Sequence, residues 1–497
     1  MGEEYYVGID VGTTSAKAVV IDKSGEVIYI TAPTYPFVTP KPLWAESDPE
    51  DWWTACKRAL NEIVERYGAS SINGIGLTGQ MHGLVLLDAQ GEVLRPCIMW
   101  NDQRTAAQCA SITEKVGAAK VLELTGNPVL PGFTAPKVVW VQENEPEIWD
   151  RAAKILLPKD YIRYRLSGCF ATDVSDASGM SLLDVGQRTW SAEMLKACDI
   201  PESMMAEVTE STVVSAKVSS AAAQVTGLQE DTPIIAGGGD QAAGAIGCGI
   251  VRSGIVSATL GTSGVVFAHA DSYQPDPEGR LHTFCSAVPG KWHFMGVQLS
   301  CAGSYQWFHD KLAPGISFKE LDGLAEAVEP GSEGLIFLPY LSGERTPHPD
   351  PYAKGVFFGL ALRHGMGHMA RSVMEGVSFG LRDTLEIMRK LGIQPKEIIA
   401  SGGGAKSPIW RQILADMFES RIVTVNASEG GAYGAAILAA VGTGAYDSIE
   451  AACEAMLKET GSTEPGDAAA TYARQYPVFR KLYPTLKESF AQISRIV

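Results

Sequence analysis

The chain has 497 residues, 45% of them hydrophobic and 20% charged, a globular composition too long for one compact core and so read as two domains. A formal net charge of -16 disfavours nucleic acid and anionic membranes as partners, so any anionic substrate must be gripped by local devices. Nine cysteines with no Cys-x-x-Cys pair argue against a zinc site and against a disulfide framework.

The start, Met1–Tyr6, has neither a basic leader nor a long apolar run, and the apolar stretch at 232–251 is broken by glycines and Asp240; the cytoplasm is the expected compartment. Residues 5–10, 17–21 and 26–30 read as three strands joined by the turns Val11–Ser15 and Asp22–Gly25. This is an antiparallel meander, not the strand-to-helix unit of a dinucleotide-binding fold. A helix begins with Asp48 as cap and Pro49 in the first position, and runs to about Tyr67. The strand Ile72–Leu77 ends in Thr78-Gly79-Gln80-Met81-His82-Gly83, and another apolar strand ends in Trp100-Asn101-Asp102-Gln103-Arg104. Pro233–Ala236 runs into Gly237-Gly238-Gly239-Asp240-Gln241.

The second half repeats the plan. Strand 257–260, turn 261–264 and strand 265–268 form a hairpin; strand 397–400 then runs into Ser401-Gly402-Gly403-Gly404 and a helix over 408–418. The pattern predicts a distant internal duplication. No Pro/Ser-rich linker marks the join near 250–256, so the halves should pack closely around a cleft. The expected division is 1–252, 253–445 and a helical tail over 446–497 packed on the second domain, with Tyr476, Phe479, Tyr483 and Leu486 on one face.

The turn Asp10-Val11-Gly12-Thr13-Thr14-Ser15-Ala16-Lys17 offers what a phosphate needs: room at Gly12, hydroxyls and amides at Thr13, Thr14 and Ser15, a cation at Lys17 and a Mg²⁺ ligand in Asp10. Alone it reads equally well as an ordinary turn. A second such turn, Gly261-Thr262-Ser263-Gly264, favours a clamp around a triphosphate, although no Walker loop is present. The loop Ser401–Gly404 could let a nucleoside lie against backbone. Asp240 fits a base that takes the proton of an acceptor hydroxyl, with Gln241 on a second hydroxyl; it equally fits a helix cap. Met81, His82, Trp100, Asn101 and Asp102 offer the polar and indole groups of a polyol site, though His82 alone reads as a loop partner and Trp100 as core.

Two segments carry a specific resemblance, Gly132–Asn144 and Gly355–Leu360 continuing through His368–Glu375. The chain resembles the FGGY carbohydrate kinases from about Tyr6 to about Ala440. Gly79–Gly83, Pro131–Lys137, Leu157–Tyr161 and Leu341–His348 are most similar to the xylulokinase branch of that family. The resemblance implies an α/β, two-domain actin/hexokinase-like (ribonuclease H-like) ATPase fold with an interdomain cleft, and transfer of the ATP γ-phosphoryl group to a primary hydroxyl, O5 if the sugar is D-xylulose.

It implies Asp240 as proton acceptor, Met81 and His82 on the sugar, and Mg²⁺ held at Asp10 and Asp240. ATP phosphates would lie at Thr13, Thr14, Lys17 and Thr262, and the adenosine side at Gly403, Gly404 and Ser407. Gly303 and Gln306 stand where glycerol kinases also meet the nucleotide. The pair Asp240-Gln241 departs from the Asp-Asn usual in xylulokinases and matches glycerol kinases, which carry Arg-Glu where this chain has Met81-His82. Ribulose, glycerol and erythritol therefore stay open as substrates. An actin-like filament or chaperone ATPase shares the clamp but not the polar loops at 79–83 and 100–104. The expected partners are the sugar and ATP, with a homodimer left open.

Overall fold

The computed structural model describes residues 4–426 and 429–496. Two sheets form the halves. In the first, the strands run in space as Val27–Thr31, Ala16–Asp22, Tyr5–Val11, Ile72–Gly79, Pro233–Gly239 and Val214–Lys217. The meander over 5–31 is antiparallel, whereas Tyr5–Val11, Ile72–Gly79 and Pro233–Gly239 are mutually parallel.

The second sheet repeats this order. Trp292–Gln298, Gly264–Ala270, Ile255–Leu260, Glu397–Ser401 and Arg421–Val425 follow one another, with the first three antiparallel and the last three parallel. The duplication expected from pattern alone is thus a duplication of topology, the actin/hexokinase-like arrangement.

The strand Tyr5–Val11 shows why it is apolar throughout. Its alternate residues Tyr5, Val7, Ile9 and Val11 pack with Trp52, Trp53 and Leu60 of the helix Pro49–Tyr67. The other face, with Tyr6, meets Ala432 and Ala436 of the helix Gly430–Gly442. A sheet covered on both faces needs apolar residues on both. Gly8 and Gly76 admit that helix, because a Cβ at either would lie 1.9 Å from the carbonyl oxygen of Ala432 or Ala435.

Each fifth strand is followed by a helix that crosses to the opposite half. Asp240–Gly247 places Ala245 with Ile255, Phe267 and Ile399 of the second sheet, while Gly430–Gly442 lies on the first. The two helices touch each other through glycine: a Cβ on Gly434 would fall 1.7 Å from the Ala243 carbonyl oxygen.

Asp48 caps Pro49–Tyr67 as its spacing predicts, accepting the Glu50 N–H at 3.0 Å. The tail differs from the expectation of helix throughout. After Ile449–Met456, the segment Glu459–Thr463 is an edge strand paired with Arg421–Val425, and only then does the long helix Ala469–Ile493 begin. Glu-Thr-Gly-Ser-Thr is almost wholly exposed, so it carries no apolar alternation by which a strand could be read. Among the described residues no helix is long and apolar enough to cross a membrane.

Candidate active site

Three parallel strands of the first sheet stop at one edge. Asp10 pairs in register with Thr78 on one side and Lys17 on the other, and Thr78 pairs with Gly238. The chain therefore delivers Asp10, Gln80–His82 and Asp240 from adjacent carboxyl ends, the usual ligand address in an open α/β sheet. Gly431 of the crossing helix closes the same spot, since a Cβ there would lie 3.2 Å from Asp10 Oδ2 and 3.4 Å from the Asp240 carbonyl oxygen.

Burial pushes Asp240 up to about 7, and the nearby Asp10 carboxylate adds to the rise. Burial also lifts Asp10 to about 6, against the pull of Lys17. Two carboxylates sharing a water-poor edge resist ionising together, so the pair invites a proton or a cation. Asp10 Oδ1 and Thr78 Oγ1 are buried without a hydrogen-bond partner. An orphaned carboxylate oxygen beside a second carboxylate fits Mg²⁺, which takes one or two carboxylates and completes its shell with phosphate and water. Among the described residues no group of three or more His, Cys, Asp or Glu could cage a metal outright.

Of the two roles open to Asp240, the cap is not the one adopted. Gly239 is the N-cap and Asp240 the first helical residue, its Oδ1 accepting the Gln241 N–H at 2.7 Å. Gly239 itself is fixed from behind, its N–H donating to Ser175 Oγ at 3.1 Å.

Met81 is buried beside this loop; a Cβ on Gly239 would meet its Sδ at 2.8 Å. His82 has a positive φ of 71°, a strained conformation for a non-glycine residue that the surroundings must hold. They do so through its carbonyl oxygen, which accepts Lys137 Nζ at 2.8 Å and Thr134 Oγ1 at 3.1 Å. The ring stacks on Phe133 with centroids 4.5 Å apart. Burial drives His82 down to about 3, so the imidazole is neutral. Gly179 O can only accept, so Nδ1 donates across the 2.7 Å contact, which leaves Nε2 as an acceptor for a hydroxyl.

Trp100 is not core. It is 42% exposed, and its Nε1 donates to Thr13 Oγ1 at 3.1 Å, tying the polar loop to the first phosphate-type turn. Asn101 keeps a buried Oδ1 with no partner, and Gln241 is exposed beside Asp240.

Asp102 is a correction. It is fully buried, Oδ2 accepting the Ala45 N–H at 2.7 Å and Arg104 Nη2 at 2.6 Å, Oδ1 accepting the Arg104 N–H at 2.9 Å. Arg104 in turn stacks 3.6 Å above Trp44. The carboxylate is consumed by the framework and does not face the cleft.

The turn Gly12–Ser15 is held open by Tyr35, whose hydroxyl donates to Gly12 O at 2.7 Å and Ser15 O at 3.0 Å. Gln80 Nε2 donates to the same Gly12 carbonyl at 3.0 Å. Lys17 is paired with Glu429 at 3.4 Å, so it must change partner to meet a phosphate.

Across the cleft the second turn is docked on the helix Ala302–Leu312. Ala302 N–H donates to Gly261 O at 2.8 Å and Gly303 N–H to Thr262 O at 3.2 Å. A Cβ on Gly303 would sit 2.7 Å from Thr262 O, so only glycine allows the approach. Gly261, Thr262, Gly303, Gln306 and Gly403 line one cavity of about 580 Å³, within the usual range for a small-molecule site. Gly403 opens onto free space, but Gly404 is buried against Leu260 and Trp410. Ser407 caps the helix Pro408–Phe418, accepting the Trp410 N–H at 3.4 Å. Neither lines that cavity.

Sequence reasoning missed Lys137, Thr134, Phe133, Tyr35, Ser175 and Glu429. The first three lie inside the segment 132–144, which was singled out by resemblance but not given a chemical role.

Residues 5–247 match the N-terminal domain, and residues 256–443 the C-terminal domain, of the FGGY family of carbohydrate kinases. The chain is 41% identical to the xylulose kinase of Escherichia coli (strain K12) over 97% of its length and 99% of that protein. The crystal structure of a xyloylose kinase from Brucella ovis superposes with a TM-score of 0.91 at 38% identity, covering 98% of this chain and all of that one. A gluconate kinase structure from Lactobacillus acidophilus gives a TM-score of 0.94 at 28% identity, covering 99% of this chain and 100% of that one.

Proposed function

The chain belongs to the FGGY family of carbohydrate kinases, and we propose that it phosphorylates D-xylulose at O5, as a cytoplasmic enzyme using ATP and Mg²⁺. The observation that carries this reading is the edge where Asp240, raised to about 7 by burial and by Asp10, stands beside Met81 and the neutral His82.

Asp240 receives the O5–H proton as oxygen attacks the γ-phosphorus; the new O–P bond forms as the bond to ADP breaks. A base of pKa near 7 is well matched to that transfer. His82 Nε2 and the amide groups of Asn101 and Gln241 orient the sugar hydroxyls. The backbone of the turns at 12–15 and 261–264 cradles the triphosphate, and Lys17, released from Glu429, answers its charge. Mg²⁺ would be held by Asp10 with Asp240 beside it and would supply neutralisation of the phosphate oxygens. Positioning and electrostatics of this kind carry most of phosphoryl-transfer catalysis. The first half, 1–252, would grip the sugar and the half over 253–445 the nucleotide.

The test is coupled ADP release over a panel of D-xylulose, D-ribulose, glycerol, erythritol and D-gluconate. D-Xylulose should give the highest kcat/KM. A tenfold lead for another panel member, or ATP hydrolysis indifferent to sugar, overturns the assignment.

A further inference from the structure

Two rings of the second half, Phe284 and His282, reach the His82–Phe133 stack. The loop over 344–350 is docked on the end of the strand Trp292–Gln298. The Thr346 N–H donates to Val297 O at 3.0 Å, the Val297 N–H to Thr346 Oγ1 at 3.2 Å, and Thr346 Oγ1 to Arg280 O at 3.0 Å. Glu344 anchors the loop from below, Oε1 accepting the Leu299 N–H at 2.9 Å and the Arg345 N–H at 2.7 Å. The C-terminal helix holds the far side. The Tyr483 hydroxyl donates to Asp350 Oδ2 at 2.8 Å, and its ring stacks on His348 with centroids 3.8 Å apart.

What this braced loop presents is Arg345. The residue is exposed, and among the described residues its guanidinium has no hydrogen-bond or ion-pair partner. Two residues beyond the Arg280 carbonyl, His282 lies 6.0 Å from Phe133, the ring on which His82 is stacked at 4.5 Å. After burial, which dominates, the positive charge of Arg345 is among the influences that keep His82 and His282 neutral. No such influence reaches Asp240, which responds to burial, Asp10 and Gln241.

The docking of Thr346 on Arg280 O thus sets the arginine's loop on the His282 side of the His82–Phe133 stack. Its ring neighbours there are not bonded to it: His82 Nδ1 meets Gly179 O, and His282 Nδ1 meets Asn127 Oδ1 at 2.8 Å. A guanidinium fork left unpaired beside neutral rings matches two adjacent oxygens of a ligand.

We propose that Arg345 is a specificity residue contributed to the sugar site by the second half, its guanidinium donating to the oxygens at C1 and C2 of the ketose. This rests on the D-xylulose reading above. A sugar spanning Asp240 in one half and Arg345 in the other would be held by both halves.

The experiment compares wild type, R345A and R345K on D-xylulose, on 1-deoxy-D-xylulose, which lacks O1, and on xylitol, which lacks the carbonyl. R345A should raise KM for D-xylulose by about tenfold to a hundredfold, the scale of a lost charged hydrogen bond, with kcat within about threefold and KM for ATP unchanged. R345K, keeping the charge but not the fork, should fall between. On 1-deoxy-D-xylulose the same substitution should cost at least about threefold less, because one of the two contacted oxygens is already absent; xylitol keeps an oxygen at both carbons and should lose about as much as D-xylulose. An equal loss on all three substrates, or a loss expressed in KM for ATP, overturns the proposal; unchanged melting temperatures exclude misfolding as the cause. If wild type ignores D-xylulose, the substrate reading alone falls. Arg345 is then judged on the best panel sugar against its analogue lacking the group at the far end.

Discussion

Asp240 is held at a thermodynamic disadvantage. Its pKa near 7 lies above the ordinary carboxylate value, so the native state binds the proton more tightly than the unfolded chain does. Stability is therefore lost as pH rises from about 4 through 7, where the unfolded state ionises freely and the native state must bury a charge near Asp10. D240N removes that charge. In metal-free buffer it should stabilise the ligand-free protein by about 2 kcal/mol at pH 8, the gain fading as pH falls toward 4, while kcat drops at least ~100-fold. Denaturant melts at several pH values, with ADP release alongside, check both; a variant that is active, or no more stable at pH 8 than at pH 4, contradicts the role.

The strand-end positions of Asp240, Met81 and His82 were legible because glycines lie within two residues of each, at Gly239, Gly79 and Gly83. Lys137 was not, since it acts on the carbonyl of His82 from 55 positions away. Glu429 meets Lys17 across 412 positions, and only the folded topology brings them together. Asp102 misled for the opposite reason. A carboxylate next to a tryptophan looks like a sugar ligand until Arg104, two residues on, is seen to consume it.

The strands, both hairpins and the helix starts followed from local pattern, because turn chemistry and capping are written within a few residues. The crossing of helices Asp240–Gly247 and Gly430–Gly442 did not, because it depends on glycines whose partners lie in the other half. Gly434 opposes the Ala243 carbonyl at a distance no Cβ tolerates, whereas a Cβ on Gly244 would meet nothing nearer than the Gly431 nitrogen at 3.9 Å. G434A should thus destabilise by about 3 kcal/mol or more, through forced separation of the helices. G244A should be neutral or stabilising by up to about 1 kcal/mol, the ordinary helical preference for alanine. Urea melts of the two variants discriminate; equal effects would show that the crossing does not rely on close glycine contact. The edge strand Glu459–Thr463 stayed illegible because it has no apolar alternation, and its partners, such as Arg421 on Glu459 at 2.6 Å, lie on a strand far away in sequence.

At the scale of the molecule, an acidic chain binds a polyanion by concentrating its few suitable groups at the facing edges of two sheets. The duplicated topology supplies two turns of like design, one beside Asp10 and one beside Gly303, and the exchanged helices make each half part of the other's core. Motion of the halves is then the natural way to exclude water from a phosphoryl group in transit.

The most direct test is a crystal structure with D-xylulose and a non-hydrolysable ATP analogue. The account predicts the Asp240 carboxylate within about 2.6–3.2 Å of O5, opposite a γ-phosphate lying between the two turns. A sugar bound with O5 out of reach of that carboxylate, or a triphosphate that bypasses both turns, would contradict it.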